Sequence, residues 1–253
     1  MPNGGCAYGL WLDQKGKVLA DSHVLRQADN DFLVVSFSGA AGQLMARLEA
    51  YLIADEVELA DETGNWSGVL LWGEDAAAMR APAGVIPLPS RRAGPDSVQW
   101  LVPAAQVAEA MAALAKVSAT ESNRAAAELA RLRAGVPAVP VDIGPRDLPN
   151  EGGLDEVAIS YTKGCYLGQE VMARLKNLGQ VRRRLHLVQG ADAPPAPGAA
   201  LFQGERKVGE MRSAATDGGN FLGLAMVSLV NLDADGPVGI VPGGTEIKLL
   251  RRV

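Results

Sequence analysis

Cysteine and histidine are scarce in this sequence: Cys6, Cys165, His23 and His186 are the only ones among 253 residues. With no Cys-x-x-Cys pair, they cannot build a four-ligand zinc or iron–sulfur site within one chain. Any cluster would have to be shared with a partner or a second copy. Two isolated thiols are no disulfide framework, and a reducing cytoplasm is the simplest home for them. No stretch approaches the ~20 consecutive apolar residues of a membrane span, and the start lacks a basic-then-apolar signal. Neither a membrane nor a secretory route is expected. Positive charge is not in excess. The net charge of −5 gives no case for nucleic acid as a dominant partner, while leaving room for a local basic patch. Aromatic residues make up 5%, and Trp11, Trp66, Trp72 and Trp100 are too scattered to form a stacking stripe. They read as core residues, one of which could wall a cavity.

What is present is the make-up of a globular protein able to bury a sizeable core, 48% hydrophobic and 21% charged. Ala7–Leu12, Lys17–Leu25 and Phe32–Phe37 have strand character, with a turn at residues 13–16, and predict a β-meander. Residues 42–53 carry Leu44, Leu48, Tyr51 and Leu52 at helical spacing, and Val57–Leu59 and Val69–Trp72 return to strand character. The alanine-rich run from Pro103 to Arg133 predicts two helices split by a capping box at Ser118 and Glu121, with Pro103 in a first turn and Gly135 then Pro137 as the stop. Beyond residue 181, short segments at Val181–Val188, Ala199–Phe202, Lys207–Arg212, Phe221–Val227, Val238–Val241 and Thr245–Leu250 alternate with Gly, Pro, Asp and Asn. They predict a small antiparallel barrel.

The run Lys163-Gly164-Cys165-Tyr166-Leu167-Gly168-Gln169-Glu170 is demanded by no packing or periodicity rule. Lys163 stands two residues before Cys165, and a helix is predicted to start at Gln169. An ammonium and the positive end of a helix both favour thiolate, while Gly164 and Gly168 permit unusual backbone angles. Cys165 and Lys163 are therefore the candidate reactive pair. The bland alternative is a tight turn into a helix with an inert thiol.

This run, followed by Val171-Met172-Ala173-Arg174 and Gly179-Gln180-Val181-Arg182-Arg183, resembles the signature of the YgfZ family of folate-binding proteins. These are relatives of the glycine cleavage T-protein, a tetrahydrofolate-dependent aminomethyltransferase. The similarity extends upstream through Gly135-Val136-Pro137, Val141-Asp142-Ile143, Leu148-Pro149-Asn150-Glu151 and Ala158-Ile159-Ser160-Tyr161. Downstream, Lys207 to Ser213 is similar to the family's C-terminal barrel. The resemblance implies an α+β, aminomethyltransferase-like folate-binding domain with layered sheets and helices over residues 1–180, short at its start, and a small antiparallel β-barrel over residues 181–253. It also implies tetrahydrofolate or a related reduced folate as cofactor, with Asp21, Glu151, Tyr166, Gln169, Glu170 and Arg174 around it.

Two departures accompany the resemblance. The related aminomethyltransferases carry adjacent aspartates in an early strand, and here the first is Ala20 and only Asp21 remains, which weakens the case for aminomethyl transfer. Where they show Arg-x-Glu-x-Gly, this chain has Arg133, so no pterin role passes to it. Arg182-Arg183-Arg184 could meet a polyglutamate tail, a phosphate backbone or an acidic partner, or be the exposed face of a strand. His23 and His186 read as structural or surface groups. Three functions follow: a folate-binding accessory protein for assembly or repair of iron–sulfur enzymes, with assembly proteins or client enzymes as partners; a tetrahydrofolate-dependent aminomethyltransferase; or an interaction module that no longer binds folate. The signature favours the first, with the folate expected between the N-terminal layers and the signature loop, near Glu151 or Asp21.

Overall fold

The computed structural model describes residues 1–117, 119–179, 181–191, 193–230, 232–233 and 236–253. The first strands form the expected meander: β1 (Cys6–Leu12), β2 (Val18–Ala28) and β3 (Asp31–Val35) pair antiparallel in that order. Asp13 closes the first hairpin, its carboxylate accepting the Lys15 and Lys17 N–H groups at 2.8 Å each. Gly16 sits there at φ +73°, in left-handed backbone that residues with a Cβ resist.

Helix α1 (Ala41–Glu49) follows. The strand expected at Val57–Leu59 does not form: that stretch is irregular and Val57 is exposed. A second antiparallel sheet contains β4 (Trp66–Leu71), β5 (Ile86–Pro89) and β6 (Val98–Pro103) in the order β4-β6-β5. Sequence reading missed β5 and β6; in β5, Pro87 and Pro89 interrupt the alternation, and proline is tolerated there because the strand lies at an edge. Pro103 ends β6 instead of opening a helix. Helix α2 (Val107–Lys116) and α3 (Arg124–Ala134) match the two predicted helices in type and place. The expected cap at Ser118 falls outside the described residues. Helix α3 is capped by Asn123, whose side chain accepts the Ala126 N–H at 2.9 Å. Gly135, at φ +70°, ends it as expected.

After α4 (Asp155–Ala158) and α5 (Gln169–Leu178), the chain enters five antiparallel strands: β7 (Arg183–Ala191), β8 (Ala200–Gln203), β9 (Arg206–Asp217), β10 (Asn220–Ser228) and β11 (Ile247–Arg252), in the order β11-β7-β10-β9-β8. The sixth expected strand, Val238–Val241, is reduced to two bridges. Gly239 pairs with Phe202 of β8 and Val238 with Ile247 of β11, so this short segment joins the two edges and closes the barrel.

The largest core cluster joins these parts. Leu12 and Val18 of the first hairpin, Leu132 of α3, Met172 of α5 and Leu185 and Leu224 of the barrel pack in one buried group. Met172 is fully buried; burial of such a side chain contributes about 1.5–3 kcal/mol. It pins α5, and with it the signature run, between the hairpin and the barrel.

Candidate functional site

A cleft of about 1800 Å³ is lined by the first two sheets, α3 and β9. Strand pairing explains its polar centre. Tyr8 lies opposite His23 and diagonal to Asp21 across β1 and β2, so the three share one face. The Tyr8 hydroxyl donates to Asp21 Oδ2 at 3.0 Å, and the Ser38 hydroxyl donates to Oδ1 at 3.2 Å. Burial pushes the Asp21 carboxyl above its ordinary range, while the Tyr8 and Ser38 hydrogen bonds and the Arg92 charge pull the other way. The Tyr8 phenol is raised as well, by burial first and then by the Asp21 charge and hydrogen bond. His23 is held below its usual value, chiefly by burial.

Ala20 does not face this cleft. Alternation along β2 turns it to the other side, where it is buried against the Ser36–Gly39 loop. An aspartate lost from position 20 therefore removes no carboxylate from the cleft, and the sequence-based weight placed on that departure falls away. Of the tryptophans, Trp72 lines the cleft and Trp100 is core.

The signature loop lies elsewhere. None of Lys163, Cys165, Tyr166, Gln169, Glu170 or Arg174 lines the cleft, whose walls come from the N-terminal layers, α3 and β9. Cys165 is exposed. The Lys163 ammonium lies 4.8 Å from the centre of the Tyr166 ring, and the Gln169 side chain accepts the Tyr166 N–H at 3.2 Å. Tyr161 stands nearby with Lys176 4.1 Å above its ring. Gly168 has φ +80°, and a Cβ there would lie 2.8 Å from the Gly16 Cα and 2.9 Å from the Asp13 carbonyl oxygen. The signature thus clamps onto the turn of the first hairpin. Along that same hairpin Asp21 lies only three residues, roughly 10 Å of extended strand, from Val18.

Glu151 is also placed away from the cleft lining. It is buried, with Arg183 Nε donating to Oε1 at 2.8 Å, and Arg183 Nη2 and the Leu148 N–H donating to Oε2 at 2.9 and 2.8 Å. Both of its oxygens are thus occupied by donors of the protein itself. Arg183 also donates to Asp147, and Arg184 to the Val253 carbonyl. Only Arg182 of the triple arginine is exposed. Arg133 pairs with Asp217 at the surface. Among the described residues, no group of three or more His, Cys, Asp or Glu could hold a metal ion.

Sequence reasoning missed Tyr8, Phe37, Arg91, Arg92 and Glu128 on the cleft lining, and gave His23 no site role. For Tyr8 and His23 the signal was available, since residues facing each other across a predicted hairpin with Asp21 share its face. The arginines sit on the β5–β6 loop, which carried no strand signal.

The family model described as the GCVT N-terminal domain matches residues 1–83, and that of the CAF17 C-terminal beta-barrel domain matches residues 182–251. The tRNA-modifying protein YgfZ of Vibrio vulnificus (strain CMCP6) is 31% identical over 221 residues, covering 82% of this chain and 65% of that protein. An iron-sulfur cluster assembly factor IBA57 homolog, mitochondrial, from Mycosarcoma maydis is 26% identical over 185 residues, covering 70% of this chain and 44% of that protein. The chain thus spans less than two thirds of the length of these relatives. In structure, the glycine cleavage system aminomethyltransferase T from Bartonella henselae superposes with a TM-score of 0.74 at 20% identity, covering 94% of this chain and 72% of the other. At that identity the likeness speaks for the fold alone.

Proposed function

The chain belongs to the family of YgfZ and IBA57, glycine cleavage T-like proteins, and from that footing we propose that it is a folate-binding accessory protein for the assembly or repair of iron–sulfur enzymes. The observation that carries this reading is the cleft, where one carboxylate held by Tyr8 and Ser38 stands beside the Phe37 ring with guanidinium groups close by. A reduced folate presents paired N–H donors, a flat ring system and a carboxylate tail, and the cleft has a complement for each. Asp21, flanked by Tyr8 and His23, would take the pterin end, and Phe37 would wall the ring. When bound, the folate supplies a nitrogen able to carry a one-carbon unit. The chain orients it against the Asp21 carboxylate, which the Tyr8 and Ser38 hydroxyls hold in place.

On this reading Cys165 is the reactive centre, presented with Lys163 on an exposed loop to an assembly protein or client enzyme in a reducing compartment such as the cytoplasm. Tyr166, Gln169, Glu170 and Arg174 shape that loop and its helix instead of touching folate. Residues 1–180 form the folate-binding part, and residues 181–253 the barrel, which adds β9 as one wall of the cleft. No described helix is long and apolar enough to cross a membrane. A second reading, tetrahydrofolate-dependent aminomethyl transfer, draws support from the retained cleft carboxylate. The open cleft with its polar centre at Tyr8, Asp21 and His23 speaks against a module that has lost its ligand.

The test is rescue of iron–sulfur enzyme activity in cells lacking the native protein. Wild type should rescue, and Asp21→Asn and Cys165→Ala should each fail at equal protein level. Rescue by both variants would overturn the proposal. Rescue by Cys165→Ala alone would shift the balance to aminomethyl transfer.

A further inference from the structure

The stretch between α1 and β4 has the alternation of a strand but no neighbour to pair with. Glu56, Glu58 and Ala60 interleave with Val57 and Leu59, a period of two, yet no strand or bridge forms there. The Val57 N–H donates to the Asp55 carbonyl at 3.0 Å, and from residue 58 to 61 no main-chain N–H or C=O is hydrogen-bonded among the described residues. Unpaired groups of this kind are a template for another strand. Beside them Tyr51 is 60% exposed, Ile53 92% and Val57 52%, a gathering of large apolar groups that a free surface rarely carries. The charge around them has one sign. Between Arg47 and Arg80 the sequence holds eight carboxylates and neither lysine nor arginine, in a chain whose net charge is only −5. Five of the eight, Asp55, Glu56, Glu58, Asp61 and Glu62, stand exposed next to the apolar groups.

We propose that residues 56–61 are a docking strand for a partner protein, which presents an extended segment where lysine or arginine alternates with apolar side chains and pairs with this stretch edge to edge. Once extended, the stretch puts Glu56 and Glu58 on one face and Val57 and Leu59 on the other. The partner's cations meet the first face and its apolar groups the second, since opposite charges and apolar pairs facing each other across a ladder are favourable. The same rule disfavours a second copy of this stretch, which would set carboxylate against carboxylate. It disfavours nucleic acid or an anionic lipid surface as well. None of residues 51–62 lines the cleft, and the signature loop holds Cys165 elsewhere in the chain, so the docking strand stands independently of the folate reading and adds a hold on a partner that needs no thiol.

The experiment titrates two peptides of one composition into the full chain: acetyl-GKVRVKVG-amide, in which charge alternates, and the block isomer acetyl-GKRKVVVG-amide. The alternating peptide should bind one to one and at least roughly tenfold more tightly than the isomer, weaken as salt rises, and slow amide hydrogen exchange at residues 56–61. Glu56→Gln/Glu58→Gln, at two exposed positions, should lose most of that affinity and its salt dependence while folding as wild type does. N-methylating the alternating peptide at its valines, or at its basic residues, tests the ladder itself. One of the two should abolish binding and the other spare it, because alternate residues bond to opposite edges of a strand. Equal affinity for the two isomers, indifference to both methylations, or protection that falls outside residues 56–61 would overturn the docking strand. Dimerisation of the chain alone, with the same residues protected, would overturn it in favour of a second copy.

Discussion

Cys6 and Cys165 have opposite surroundings. Cys6 is half-buried in β1, where burial pushes its thiol up, whereas Cys165 is exposed on the signature loop. Since the thiolate is the nucleophile, iodoacetamide at neutral pH should modify Cys165 well before Cys6, as read by peptide mass spectrometry; equal rates would contradict this. Asp21 makes a second prediction at the same scale. Its carboxyl titrates near 3.8 when unfolded and higher when folded, so across that window the folded state binds more protons and stability falls as pH rises. Asp21→Asn should therefore raise the melting temperature at pH 7, and the gain should fade as pH drops toward about 4. A lower melting temperature at pH 7 would refute it. Asp21 and Cys165 were legible because each belongs to a recognisable local pattern. Arg91 and Arg92 were not, since an arginine pair in a loop gives no sign that the fold will turn it into a cleft without partners.

The two glycines of the signature do different work in the elements they join. Gly168 combines φ +80° with a backbone approach that leaves no space for a Cβ, whereas Gly164 has open space around it. Gly168→Ala should cost at least ~2 kcal/mol by forcing α5 off the first hairpin, and Gly164→Ala should cost less than ~1 kcal/mol. Urea titrations of both variants distinguish them; similar losses would mean that the clamp on the hairpin turn is not what the motif requires. The meander, α1 to α3 and most of the barrel were readable because their periodicity agrees with their burial. The strand expected at residues 57–59 failed because alternation needs a neighbouring strand to pair with, and β5 was hidden because its prolines are acceptable only at the edge position that the fold assigns to it.

Across the whole molecule, buried ion pairs tie the amino-terminal part to the barrel. Arg131 on α3 bonds Asp142 at 2.6 Å and the Ser213 hydroxyl of β9 at 3.0 Å, and Asp147 accepts from both Arg183 and Arg212. These partners lie up to 82 residues apart, which no local pattern reports, so the pairing of Glu151 with Arg183 was not legible in the sequence. The same assembly leaves the cleft open, with Asp21 at its centre. A calorimetric titration of wild type and Asp21→Asn with tetrahydrofolate tests this arrangement directly. One saturable site is expected in wild type, weakened by at least about tenfold in the variant, which loses a charged hydrogen-bond acceptor but keeps its folded state by circular dichroism. Absence of binding to wild type, or equal affinity in the two proteins, would contradict the folate-binding cleft.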